Sequence, residues 1–277
     1  MIESALKYGS LLGAVALFAV AGATTFRGGP AEPETVVATA AAESVAAPVA
    51  EPAPGLVFAD EAAFGAAIRG YLLENPEVIF EAVSVLEQRQ AQQQAQSDAD
   101  MVTANLDALH DTTDDWVGGN PEGDVTLVEF IDYRCSYCRR AHPETRDLVS
   151  ADGNIRLIVK EFPILGEASL LSSRFAIAAK QLGGDEAYLG AHEALIALRG
   201  NPDEPTLRQL AMELGLDPDQ VFEVAQSDAV SAVIAKNHAL AERLDIRGTP
   251  TYVLQDQMIR GYMPLETMMQ AVAEVRG

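Results

Sequence analysis

Val125-Thr126-Leu127-Val128-Glu129-Phe130-Ile131-Asp132-Tyr133-Arg134-Cys135-Ser136-Tyr137-Cys138-Arg139-Arg140 is the stretch that decides the fold. Its first seven residues are apolar or β-branched apart from Glu129, the pattern of a buried strand. From Ser136 onward the composition suits a helix. The chain's only two cysteines, Cys135 and Cys138, sit at this junction with two residues between them. A sulfur at a helix N-terminus meets free backbone N–H groups and the positive end of the helix dipole, which favour a thiolate. The spacing therefore predicts an exposed, attacking Cys135 of low pKa and an inner Cys138, one turn along, that resolves mixed disulfides.

Two plainer uses of the pair fit less well. A zinc ribbon needs two further Cys or His ligands at comparable spacing, and His110, His142, His192 and His238 are scattered along the chain. A purely structural disulfide here would close a very short loop and stabilise weakly.

Composition narrows the function classes. Nineteen Lys and Arg against 41 Asp and Glu give a formal net charge of −22 over 277 residues. So acidic a chain repels nucleic acid, and Arg134 with the Arg139-Arg140 pair does not alter that. With 48% hydrophobic residues and two cysteines, the chain has material for a core without disulfide staples.

The N-terminus sets the compartment. An uncharged stretch follows Lys7 from Tyr8 to Phe26, with its apolar centre at Leu11 to Ala21. Residues 1–27 read as a signal peptide, with small-residue cleavage sites near Ala21 and Ala23, or as an uncleaved membrane anchor. Either way the cysteines are expected in the periplasm, where disulfides persist. Residues 28–55 are rich in Ala and Pro and read as an extended linker, which favours a tether to the inner membrane.

Residues 56–112 are helical in pattern. Asp60 is the expected N-cap of a first helix carrying Phe64, Ile68, Tyr71 and Leu72. Asn75-Pro76 is expected to start a second, with Asn75 as N-cap and Pro76 at the first helical position. Its narrow apolar stripe (Ile79, Val83, Leu86, then Ala95, Ala99, Val102, Leu106 and Leu109) is too thin to bury a helix in a core and favours self-association.

The main domain is expected over 113–277. Trp116-Val117 reads as an edge strand and Gly118 to Pro121 as a loop. Strand 125–131, a helix that Pro143 should kink, and strand 155–159 make a βαβ unit with a parallel pair. Residues 167–245 read as a helical insertion, 251–254 and 258–260 as a hairpin, and 265–275 as a closing helix. The expected fold class is α/β: a thioredoxin-like domain with a helical insertion, preceded by a helical segment.

The run from Thr126 to Tyr133 with Cys135-x-x-Cys138, together with Lys160-Glu161-Phe162-Pro163-Ile164-Leu165-Gly166 and Arg247-Gly248-Thr249-Pro250-Thr251, resembles the DsbA-like thiol–disulfide oxidoreductases. Tyr71-Leu72-Leu73-Glu74-Asn75-Pro76-Glu77-Val78 is similar to the N-terminal region of the copper-sensitivity suppressor (ScsC) branch, where it oligomerises the protein. The resemblance implies catalytic roles for Cys135 and Cys138, and for Glu129 as the acid beneath the disulfide that moves the inner thiol's proton. It makes Pro250 a cis-proline facing the sulfurs and Thr249 the residue that pairs with an extended substrate; Tyr137 is the further candidate for substrate contact. A charge inside a buried strand points to Glu129 independently. Where the strongest oxidants carry Pro-His between the cysteines, this chain has Ser136-Tyr137, so a less oxidising couple is expected than the roughly −120 mV of DsbA.

These readings lead to an extracytoplasmic enzyme that oxidises or isomerises disulfides in cysteine-containing exported proteins, is served by a membrane redox partner, and forms a homo-oligomer. No metal or organic cofactor is implied. A copper-binding or chaperone-like module, its thiolates holding Cu(I), is the alternative, kept open by Met258, Met263, Met268 and Met269.

Overall fold

The computed structural model describes residues 60–277. The signal or anchor expected at 1–27 and the linker at 28–55 lie outside the described residues.

Alternating side chains along the strands build a two-sided sheet. Its five strands, β1 (Trp116–Gly119), β2 (Val125–Ile131), β3 (Ile155–Glu161), β4 (Thr251–Leu254) and β5 (Gln257–Arg260), lie in the order β1-β3-β2-β4-β5. β2 and β3 are parallel, as the intervening helix α4 (Ser136–Asp152) requires, and the other pairs are antiparallel. Gly118 and Gly119, expected in a loop, instead extend β1 along the edge of β3. Val125, Leu127, Ile131, Leu157, Val159 and Leu254 face one core layer, shared with Leu148 of α4. Val128, Phe130, Ile158 and Val253 face the second. By this alternation Glu129 belongs to the first layer, on the side of the cysteines.

Helix α4 passes through Pro143 without interruption and ends at Gly153, whose φ of 72° is the left-handed conformation glycine adopts freely. The insertion comprises α5 (Glu167–Ala197), α6 (Glu204–Glu213), α7 (Pro218–Ala225) and α8 (Asp228–Arg243). α5 breaks at a single non-helical residue, Gly184 (φ 73°). The closing helix α9 (Leu265–Arg276) packs Met268 and Val272 into the first layer.

The helical N-terminal segment has two characters. In α1 (Glu61–Glu74) Asp60 caps as expected, its carboxylate accepting from Ala63 N–H at 2.8 Å. Asn75 does not cap α2 (Glu77–Ala104): its side-chain amide donates to the Tyr71 carbonyl at 2.9 Å, closing α1, and Pro76 takes the N-cap position of α2. No residue of α1 is buried, and Phe64, Tyr71, Leu73, Ile79, Phe80, Val83 and Leu86 are all exposed. Beyond the Gln-rich stretch the stripe changes role. Val102 and, from α3 (Leu106–His110), Leu109 are buried in the second core layer, and the buried Asp98 pairs with Arg260 of β5. The domain's packing thus reaches back past residue 113 into α2. Among the described residues no helix is long and apolar enough to cross a membrane.

A buried ion pair pins α3 to the sheet. Lys160, fully buried in β3, meets the Asp115 carboxylate at 2.5 Å and donates to the Asp111 carbonyl at 2.8 Å. Burial pushes the Asp115 carboxyl up, and the Lys160 ammonium pulls it back.

Candidate active site

Strand β2 ends at Ile131, and three loop residues carry the chain to Cys135, the N-cap residue of α4. Asp132 holds this loop. One of its carboxylate oxygens accepts from Arg134 N–H at 2.7 Å, and the other accepts from Ile164 and Leu165 N–H at 2.8 and 3.0 Å. The loop after β3 is thereby tied to the loop that bears the nucleophile.

The two sulfurs have opposite surroundings. Cys135, expected to be exposed, is buried at 7% exposure because the Thr249 loop packs against its sulfur, and Cys138 is fully buried one turn along. Hydrogen bonding from Cys138, helped by the Thr249 side chain and the N–H groups of Cys138 and Tyr137, lowers the Cys135 pKa to about 5 against the opposing effect of burial. Its hydrogen bond to Cys135 and its burial push Cys138 far up. The sulfur of Cys135 also lies 3.1 Å from the Thr249 carbonyl oxygen, and the Thr249–Pro250 peptide is cis. Cys135, Cys138, Thr249 and Pro250 therefore meet at one place, although Thr249 follows Cys135 by more than a hundred residues.

Glu129 is 2% exposed. Burial raises its pKa to about 7, with a hydrogen bond to Tyr252 pulling down and the charge of Glu161 pushing up. Its charge in turn raises Cys138. Among the described residues Glu129 Oε1 has no hydrogen-bond partner, and the side chain lines a cavity of about 460 Å³ with Trp116, His142, Thr145 and His192. Tyr137 is 58% exposed at the start of α4.

Sequence reasoning missed a second buried carboxylate. Glu161, opposite Ile131 in the parallel register, accepts from the hydroxyls of Tyr133 and Tyr188 at 2.7 and 2.6 Å. Tyr133 also meets His192 Nδ1 at 3.1 Å. Burial holds Glu161 up at about 7 and His192 down at about 3, so the imidazole is neutral. The signal was available, since Glu161 ends an apolar strand just as Glu129 interrupts one. Asp132 carried no such signal, because the partners that tie it to the other loop, Ile164 and Leu165, lie more than thirty residues away. Of the C-terminal methionines, Met263 and Met268 share the core layer of the two cysteines, and Met269 is exposed. Met258 packs in the other layer.

Residues 126–273 match the family model described as the DSBA-like thioredoxin domain. The chain belongs to the DSBA-like thioredoxin family. Members of this family are thiol–disulfide oxidoreductases. Residues 60–93 match the N-terminal domain of the copper resistance protein ScsC. A thioredoxin-like oxidoreductase from Silicibacter pomeroyi DSS-3 is similar, at 43% identity over 61% of this chain and 96% of that one, with a TM-score of 0.57. BcfH of Salmonella enterica Typhimurium is 28% identical, covering 77% of this chain and 95% of its own, with a TM-score of 0.65. A Na(+)/H(+) antiporter NhaA 1 of Salinispora arenicola is 30% identical over 158 residues; the chain spans 24% of that relative's length.

The hydroxyl of Thr249 is separable from its backbone. Thr249→Val keeps the shape but removes the donor to sulfur, so the Cys135 pKa is expected to rise and the couple to become more reducing. A tenfold change in the exchange equilibrium is roughly 30 mV for two electrons, within reach of glutathione equilibration. Potentials and thiolate titrations that coincide with those of the native protein would remove the hydroxyl from the site.

Proposed function

We propose that the protein exchanges disulfides with cysteine-containing exported proteins outside the cytoplasm, oxidising or isomerising them through a mixed disulfide at Cys135. The observation that carries this reading is the thiol at the start of α4, held near pKa 5 beside a buried partner of raised pKa. In the reductive direction the Cys135 thiolate attacks a substrate disulfide. One substrate sulfur bonds to Cys135, and the other leaves as a thiolate and takes a proton from solvent. Cys138 then gives its proton to Glu129 and attacks the Cys135 sulfur. The Cys135–Cys138 disulfide forms, the substrate sulfur leaves as a thiolate and takes a proton from solvent, and two electrons have passed to the substrate. Oxidation is the same sequence reversed, with a membrane redox partner withdrawing the electrons. Because Glu129 titrates near 7, its proton-accepting form grows as pH rises through about 7, and resolution quickens over that window. The apolar stretch before the linker supports export, as a cleaved leader or a tether.

Residues 60–93 are proposed to join copies of the chain, an assignment supported by the exposed apolar face of α1 and the first turns of α2. One pair of preparations tests both halves of the proposal: the chain from residue 60, and a shorter one from Gln94 that keeps Asp98, Val102 and Leu109 in the core. Both are expected to equilibrate with glutathione and to catalyse exchange in a disulfide-bonded substrate. Light scattering is expected to give a multiple for the longer chain and a monomer for the shorter. Absence of catalysis in both would overturn the enzymatic reading, and two monomers would overturn the self-association.

A further inference from the structure

The chain carries a net charge of −22, yet arginines gather around its reactive sulfur. Arg134 precedes Cys135, Arg139 and Arg140 follow on α4, and Arg247 stands two residues before Thr249 on the other side of the sulfur. Among the described residues Arg134, Arg139 and Arg140 form no ion pair. Arg134 donates to the Gly200 carbonyl at 2.7 Å, Arg139 to the Tyr133 carbonyl at 2.9 Å, and the Arg140 guanidinium lies 4.2 Å over the Tyr262 ring. The nearby carboxylates hold other hydrogen bonds, although the charge of Asp132 reaches Arg139 and that of Glu144 reaches Arg140. Asp132 is fully buried on three backbone N–H groups, Glu144 accepts from Tyr262 and Leu265, and Asp245 pairs with Arg247. Exposed Tyr137 and Leu165 add apolar surface to the same rim.

Resting on the exchange reading above, we propose that this rim selects cysteine-bearing segments with aspartate or glutamate within a few residues of the cysteine. A guanidinium without a carboxylate partner gains a charge-assisted hydrogen bond when an acidic side chain arrives. Local charge of this kind speeds encounter by ten- to a thousandfold and fades with salt. A rim that merely stabilised the Cys135 thiolate would speed every peptide alike, because it acts before the peptide arrives.

The test uses three synthetic peptides, each a mixed disulfide with 2-mercaptoethanol, identical except for Asp, Asn or Lys two residues either side of the cysteine. The reduced full chain attacks the peptide sulfur and releases 2-mercaptoethanol; Cys138 then closes on Cys135 and releases the peptide thiol. At about 0.1 M salt, where charges beyond roughly 10 Å are screened, the distant acidic surface contributes little. The Asp peptide is expected to react about tenfold faster than the Lys peptide, with the ratio falling toward one at about 1 M salt. In an Arg134→Gln/Arg140→Gln variant the ratio at 0.1 M is expected to fall several-fold. Equal rates for the Asp and Lys peptides, or a ratio unchanged in the variant, would overturn the rim's role while leaving exchange intact. An Asn peptide that does not react at all would overturn the exchange reading, and this inference with it.

Discussion

Replacing Cys135 with alanine is expected to abolish disulfide exchange, while Cys138→Ala is expected to accumulate covalent complexes with substrates. The asymmetry follows from the surroundings of the two sulfurs. Cys135 sits at the helix start with hydrogen bonds that hold it ionised near neutral pH, and only a thiolate attacks a disulfide. Cys138 is fully buried and its pKa is raised, so it cannot begin the reaction. In the proposed mechanism it attacks the mixed disulfide from within, after Glu129 takes its proton. Removing it leaves the first step intact and the second without a nucleophile. Mass spectrometry of the variants mixed with a disulfide-bonded peptide reads both steps. A reactive Cys135→Ala protein, or a Cys138→Ala protein that traps nothing, would reverse the assignment.

The second large effect is on stability. Asp115→Ala leaves the Lys160 ammonium fully buried with backbone carbonyls but no counter-charge, which is expected to cost about 3–5 kcal/mol. In a domain of this size that lowers the melting temperature by roughly 6–20 °C. The pair itself need not stabilise the fold, since removing two charges from water costs about what their attraction returns. The double variant Asp115→Leu/Lys160→Met is therefore expected to be more stable than Asp115→Ala, despite carrying two substitutions. Thermal unfolding of both decides the matter. An Asp115→Ala protein that melts with the native one would mean that water reaches Lys160.

The nucleophile, its partner and the strands that carry them were legible because they rest on local pattern. β2 is an apolar run, the cysteines mark its end, and the period-two alternation sends Glu129 to the same side as the sulfurs. The meeting of Cys135 with Thr249 and Pro250 was read only through family resemblance. No local pattern says that a loop so distant in sequence returns to the sulfur. The N-terminal stripe was half legible. Its spacing shows an apolar face, but the same spacing serves exposed Ile79 and buried Val102, and only tertiary packing separates them. Asn75 shows a similar limit. A residue before a helical proline can cap the helix ahead or close the helix behind, and here its amide reaches back to Tyr71. Asp132 was invisible because its role is defined by N–H groups of another loop.

The most direct test of the account is the pH dependence of alkylation in the reduced protein, followed site by site with mass spectrometry. The structure predicts that Cys135 reacts with a midpoint near pH 5 and that Cys138 stays unlabelled through neutral pH. The sign is fixed by the thiolate: labelling rises with pH and is lost as pH falls through that midpoint. A midpoint near the ordinary thiol value of about 8.5, or equal labelling of the two cysteines, would contradict the central claim that α4 presents an activated sulfur beside a buried one.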